Sequence, residues 1–149
     1  MQADRRADTG GLEDVIGALK DTKHVDVVCL RFPLVGESLR ALYRTAAVVL
    51  ANSLFEPFGL VGLEAMAVGG VACTGLSGED YAIPGRNALV MQTDDPRELS
   101  GVLRRLREHP QEERDLRRAA RVTARQYAWS EIVTRVLLPR LDLLRAPDA

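Results

Sequence analysis

The chain has 149 residues, of which 46% are hydrophobic, so it is long enough to bury the core of one domain. Its net charge of −1 argues against a nucleic acid or an anionic membrane surface as partner. Residues 1–10 are polar and charged, so we expect a disordered N-terminus without a secretory signal, and we expect no transmembrane segment. Cys29 and Cys73 lie in short apolar runs, which indicates buried thiols in a reducing compartment and a cytoplasmic protein.

Short apolar strands alternate with helices from residue 11 to residue 91. The predicted elements are helices at 11–21, 36–46 and 59–68, and strands at 25–30, 47–51, 71–74 and 88–91. Further helices are predicted at 97–108, 111–126 and 130–144, and we expect Pro139 to kink the last one. This alternation is typical of an α/β fold, in which helices cover both faces of a parallel sheet.

For three helical faces the sequence predicts whether the side chains are buried or exposed to solvent. We expect Leu39, Leu42 and Tyr43 to face inward from the helix at 36–46. The arginine-rich run at 104–125 is interleaved with glutamates, as in Glu113 before Arg117, which is typical of a solvated face. An apolar stripe on the last helix is interpreted most simply as core: Trp129, Ile132, Val133, Val136, Leu137, Leu141 and Leu144.

The segment FEPFGLVGLEAMAVGGVACTGL, residues 55–76, carries one charged side chain after its second residue, that of Glu64. An unpaired buried carboxylate costs on the order of several kcal/mol, so Glu64 either has a partner or opens onto a cleft. The helix that contains it begins near Gly59, just beyond the end of a strand. There the N–H groups of Gly59, Leu60 and Val61 and the helix dipole would bind a phosphate.

Two interpretations of the glutamates remain open at this point. In the first, Glu64 accepts hydrogen bonds from a diol such as a ribose, and Glu56 reaches a group beyond the phosphates. In the second, Glu56 belongs to a surface loop and Glu64 pairs with an arginine. Asp80 and Arg86 are further candidates to line the cleft, whereas His24 and His109 have no partnering pattern nearby.

The run SLFEPFGLVGLEAMAVGG closely resembles the donor-binding motif of retaining glycosyltransferases of family four, and the similarity extends roughly from Val25 to Leu106. The signature is two glutamates separated by seven residues, around a Phe-Gly-Leu turn. The resemblance implies the C-terminal half of a GT-B fold, in which a Rossmann-like parallel sheet is flanked by helices. It also implies transfer of a sugar from a nucleoside-diphosphate sugar to an acceptor hydroxyl, without a metal or another cofactor.

The resemblance assigns a role to each residue of the motif. Glu56 would be the catalytic residue that holds hydroxyls of the transferred sugar, and Glu64 would accept hydrogen bonds from the ribose. The distal phosphate would be held by backbone amides. The donor-binding residues implied are Ser53, Phe58, Gly59, Leu60, Val61 and Glu64.

The chain is shorter than a GT-B enzyme, which has two such domains. We therefore expect residues 11–149 to form an incomplete nucleotide-sugar-binding domain that ends in the helices at 97–144. The acceptor-binding domain would be absent, and the chain inactive without it. In the family the last helix crosses back to that domain, so part of its apolar stripe would lie exposed here. Its four strands would be the last four of a sheet ordered 3-2-1-4-5-6, with an open apolar edge, so we expect marginal stability or a partner chain.

An alternative interpretation is a truncated, non-catalytic module that binds a nucleotide or a partner protein. The intact Glu56 and Glu64 favour the enzyme, whereas the short chain favours the module. A flavodoxin-like signalling domain would lack its acidic phosphorylation cluster here.

Overall fold

The structure is a computed structural model that describes Leu30 and residues 33–53, 56–75 and 80–145. The predicted disordered start at 1–10, the helix at 11–21, most of the strand at 25–30 and Cys29 lie outside the described residues. All elements named below belong to one compact unit, Leu34–Ala149. Within the described residues, no helix is both long enough and apolar enough to cross a membrane.

Three strands and the helices between them follow the predicted alternation. The elements are α1 (Gly36–Thr45), β1 (Val49–Ala51), α2 (Leu60–Ala67), β2 (Ala72–Thr74), β3 (Leu89–Val90), α3 (Pro96–Glu108), α4 (Pro110–Gln126), α5 (Trp129–Ile132), a π segment (Val133–Leu137) and α6 (Leu138–Arg145). The strands form a parallel sheet in the order β1-β2-β3. Val49 lies opposite Ala72, and Cys73 lies opposite Leu89. The predicted α/β fold with a Rossmann-like parallel sheet is confirmed.

Helices cover both faces of the sheet. Neighbouring residues of β2 point to opposite faces, and all three residues of β2 are buried, so each face must be covered. Ala72 joins a buried cluster with Met66 of α2 and Ala120 of α4. Cys73 joins a second buried cluster with Leu106 of α3 and Leu116 of α4. The prediction of a buried thiol is confirmed for Cys73, whose burial raises its pKa to about 11.

Arg117 of α4 differs from the predicted solvated face. Its ion pair with Glu113 is present, at 2.8 Å, but its side chain is only 20% exposed. The guanidinium also donates to the carbonyl oxygens of Arg44, Ala46 and Gly69, at 3.2, 3.0 and 2.8 Å. Because unsatisfied carbonyls gather where α1 and α2 end, a buried cation there stabilises both helix ends.

Most of the apolar stripe at the end of the chain is exposed, so the interpretation as core was wrong for most of its residues, whereas the exposure expected for part of it is confirmed. Ile132 and Val133 are half-buried, but Trp129 and Leu144 are each 82% exposed, and Val136, Leu137 and Leu141 are exposed too. The π segment packs mainly against α5 and α6, its neighbours in sequence. The sheet faces are already covered, so no described element remains to bury this stripe.

Two smaller expectations concern α1 and the last helical stretch. Leu42 is 45% exposed, whereas Leu39 and Tyr43 are half-buried, so the inner face of α1 is narrower than predicted. In the last helical stretch a π segment precedes Pro139 by one residue, Leu138, and the kink expected at Pro139 stays a prediction.

Candidate functional site

The carboxyl ends of β1 and β2 meet at one edge of the sheet because the two strands are parallel. Asn52 and Ser53 follow β1 and are exposed, and Gly75 follows β2. A Cβ on Gly75 would lie 2.4 Å from the Asn52 Oδ1 atom, so a larger residue at position 75 would force the Asn52 side chain to move. The candidate site lies at this edge.

The N-cap residue of α2 is a glycine, so it offers no side chain to cap the helix. Gly59 is the N-cap residue, with φ −74° and ψ 101°, and it is buried. The amides of the first helical turn have no partner within the helix, so the helix head offers N–H donors and the positive end of a dipole. Leu60 and Val61, which carry two of these amides, are exposed. This geometry suits an anionic group such as a phosphate.

Tyr81 holds the helix head from the protein side. Its hydroxyl donates to the Gly59 carbonyl oxygen at 2.5 Å, and the residue is 2% exposed. A Cβ on Gly62 would lie 2.7 Å from that hydroxyl, so the approach depends on the missing side chain. The Tyr81 ring also packs edge-on against Phe58 and Tyr127, with centroids 5.6 and 5.9 Å away.

Sequence reasoning missed Tyr81. A glycine inside a predicted helix signals a close approach of another group, and Gly62 was such a signal. The partner could not be named from the sequence, since nineteen positions separate Tyr81 from Gly62.

Asn87 fixes the backbone around Tyr81. Its amide group donates to the Tyr81 carbonyl at 2.9 Å and to the Thr123 hydroxyl of α4 at 2.8 Å. Its Oδ1 atom accepts from the Ile83 amide at 2.6 Å. The side chain is 2% exposed, so the polar groups that it buries are satisfied.

Glu64 is exposed to solvent. It makes no hydrogen bond or ion pair in the part of the chain that the structure describes, so none of the described arginines is the partner that the second interpretation requires. On one side it borders a groove of about 290 Å³, formed with Arg40 and Tyr43 of α1. On the other it borders a groove of about 350 Å³, formed with Arg121 and Arg125 of α4.

The Glu64 carboxylate also acts on Tyr43. Burial raises the pKa of the Tyr43 hydroxyl, and the negative charge of Glu64 raises it further. Glu64 therefore contributes a negative charge to the groove beside α1, which Arg40 also borders.

The remaining predicted residues lie around the helix head. Glu56 is half-buried in the loop that leads to it, and Phe58 is 39% exposed. Asp80 and Arg86 border a different groove, of about 810 Å³, between their own loop and α4. No group of three or more histidine, cysteine, aspartate or glutamate side chains is placed to hold a metal within the described ranges.

Comparison with known proteins identifies the family of this chain. A family model described as glycosyl transferases group 1 matches residues 30–123, more than half of the chain. The chain belongs to this family. A D-inositol 3-phosphate glycosyltransferase of Paenarthrobacter aurescens is 33% identical over 135 residues, which cover 82% of this chain and 33% of the relative. The chain thus spans about a third of the length of this curated relative.

Solved structures of glycosyltransferases share the fold. A sucrose-phosphate synthase from Thermosynechococcus elongatus superposes with a TM-score of 0.74 over 96% of this chain and 37% of its own, at 24% identity. The Anabaena protein HepE, in complex with UDP and glucose, gives 0.69 over 90% of this chain and 36% of its own, at 20% identity. The C-terminal half of the GT-B fold is therefore confirmed for this sheet and its helices.

Proposed function

We propose that this chain supplies the donor-binding part of a retaining glycosyltransferase, which transfers a sugar from a nucleoside-diphosphate sugar to an acceptor hydroxyl. Membership of the glycosyl transferases group 1 family supports the reaction class. The observation that carries the proposal is Glu64, an exposed carboxylate with no partner among the described residues, one turn beyond the head of α2, whose N-cap is a glycine.

Glu64 is suited to hold the ribose of the donor. The side chains around it on α2 are apolar, so the carboxylate contributes nothing to the packing of the helix. A carboxylate accepts hydrogen bonds from two neighbouring hydroxyls at once, and each charge-assisted bond contributes about 1.5–3 kcal/mol. The grooves on both sides of Glu64 leave room for the nucleoside.

The head of α2 is suited to hold the phosphates. When the bond between sugar and phosphate breaks, negative charge develops on the leaving nucleoside diphosphate. The amides of Gly59 and Leu60 would stabilise that charge more in the transition state than in the ground state, which lowers the barrier. Glu56, in the loop before the helix head, would hold hydroxyls of the sugar. Ser53, Phe58 and Val61 would complete the donor site.

The donor that we propose is a UDP-sugar, because HepE, which shares the fold, was crystallised with UDP and glucose. The acceptor would be bound by a further domain or a partner chain, since this chain spans about a third of its relative. The chain alone is then expected to bind UDP-glucose without consuming it.

Calorimetric titration tests the proposal. The chain is titrated with UDP, GDP and ADP, and the comparison is repeated with Glu64→Gln, which keeps the shape of the side chain and removes its charge. We expect UDP to bind and the variant to lose at least about tenfold in affinity, as the loss of one or two charge-assisted hydrogen bonds requires. Glu108→Gln, an exposed residue at the end of α3, is the matched control and should bind as the parent does.

A modified ligand makes the test specific to the ribose. If Glu64 accepts from the ribose, the losses caused by Glu64→Gln and by 2′-deoxy-UDP should not add, because both remove the same interaction. Full additivity would place Glu64 elsewhere on the ligand. A folded chain that binds none of the three nucleotides would contradict the proposal. A protein with its acceptor domain restored that binds UDP-glucose but transfers nothing would favour the non-catalytic module.

A further inference from the structure

The geometry points to Tyr81 as a positioning residue for the phosphate-binding amides of the α2 head, an inference that rests on the proposed donor site. The hydroxyl of Tyr81 is bound to the Gly59 carbonyl oxygen, in the peptide group that links Gly59 to Leu60. Tyr81 therefore does not touch the ligand itself; it acts through the backbone of the helix head.

Tyr81 acts on the Leu60 N–H because the peptide group that joins Gly59 to Leu60 is planar. In a trans peptide the carbonyl oxygen and the following N–H lie in one plane and point in opposite directions, and no cis peptide occurs among the described residues. A hydroxyl that holds the Gly59 carbonyl thus also fixes the direction of the Leu60 N–H, which points out of the helix head. Donation to the carbonyl also polarises that N–H, so it becomes a stronger donor to an anion.

The surroundings of Tyr81 fix its hydroxyl in turn. The ring is wedged between Phe58 and Tyr127, and the backbone carbonyl of Tyr81 accepts from the Asn87 side chain. Asn87 is bound to Thr123 of α4, so the helix head is tied to a second helix through buried hydrogen bonds. A site that must hold donors within a fraction of an ångström needs supporting contacts of this kind.

Two variants disturb the hydroxyl in independent ways. Tyr81→Phe removes the oxygen and keeps the ring. Gly62→Ala keeps Tyr81 but places a Cβ 2.7 Å from its hydroxyl oxygen, which is too close, so the hydroxyl must move. Tyr127→Phe is the matched control for the ligand-free measurement, since it removes the other hydroxyl of the same aromatic group, and that hydroxyl makes no hydrogen bond in the described part of the chain.

Binding of UDP is compared with binding of uridine, which lacks the phosphates. A positioning role predicts that Tyr81→Phe and Gly62→Ala weaken UDP by about fivefold, as one lost hydrogen bond implies, while the Kd for uridine stays within about twofold. An equal loss for UDP and uridine would mean a general packing role and would overturn the inference. Unchanged UDP binding in both variants would overturn it as well.

Amide NMR separates this inference from the proposed function. Without any ligand, Tyr81→Phe should shift the Leu60 amide resonance and speed its hydrogen exchange, and Tyr127→Phe should not. An unmoved Leu60 amide contradicts the role of Tyr81. A Leu60 amide that responds in a chain that binds no UDP leaves Tyr81 as the residue that orients the helix head and contradicts the donor site instead.

Discussion

The acidic side chains of α4 and the Glu64 carboxylate of α2 differ in their contacts with arginine. Each acidic side chain of α4 lies within ion-pair distance of an arginine: Glu112 with Arg105, Glu113 with Arg117 and Asp115 with Arg118. Glu64 of α2 lies on the outer face of an otherwise apolar helix and has no such partner among the described residues. The comparison separates charges that stabilise the fold from a charge that no described contact explains.

The largest expected effect is a loss of stability on removing Arg117, the least exposed side chain among the ion pairs of α4. Arg117→Ala should lower the free energy of unfolding by about 3 kcal/mol, because three helix-end carbonyls and Glu113 lose a charged donor together. Urea unfolding followed by circular dichroism measures it. Arg118→Ala, at a side chain that is 77% exposed, is the control and should cost less than about 0.5 kcal/mol. Equal costs for the two variants would remove the distinction between buried and surface charges in α4.

The comparison predicts that replacing Glu64 and replacing Glu113 change the free energy of unfolding differently. Glu64→Leu should leave the free energy of unfolding unchanged or raise it by about 0.5 kcal/mol, since it removes an unpaired charge from an apolar helix. Glu113→Leu should lower it by about 1 kcal/mol, because Arg117 loses its ion pair. Both follow from the same urea unfolding experiment. A destabilised Glu64→Leu variant would mean that Glu64 serves the fold after all.

The smallest effect is on the titration of Tyr43. Burial and then Glu64 raise the pKa of its hydroxyl, so Glu64→Gln should lower that pKa while the contribution of burial remains. The Cζ resonance of Tyr43, followed by NMR across alkaline pH, measures it.

The same shift affects stability at high pH. Because the folded pKa is raised, the unfolded chain releases its proton first, and stability falls as the pH rises above about 10. Glu64→Gln should reduce this loss. An unchanged Tyr43 pKa in the variant would show that the Glu64 charge does not reach the groove beside α1.

Local patterns in the sequence predicted most of the fold. Alternating apolar strands and helices predicted a parallel sheet covered by helices, because each face of a buried strand must be covered. The order of the strands was implied by the family resemblance, and β1, β2 and β3 are neighbours in that order. The motif around Gly59 and Glu64 indicated where a ligand would bind, because a glycine at the helix head and a lone carboxylate on an apolar helix are visible as residue types.

Contacts between distant parts of the chain escaped prediction. Arg117 looked like a surface arginine, because nothing local shows that it reaches carbonyls 48 to 73 residues away. The hydroxyl of Tyr81 lies 22 residues from the carbonyl that it holds. The exposed stripe at the end of the chain was misread for a related reason. Helical spacing shows that one face is apolar but not whether any element of this chain covers it.

The π segment Val133–Leu137 has a consequence for the rotational phase of the chain beyond it. Each of its rings spans one residue more than an α-helical ring, and Pro139 follows with a nitrogen that has no hydrogen to donate. One extra residue turns every later side chain by about 100° relative to an unbroken α-helix. Leu141 and Leu144 therefore do not continue the line that begins at Trp129. Any surface that packs against this part of the chain meets two apolar patches set at an angle, and a straight groove would fit only one of them.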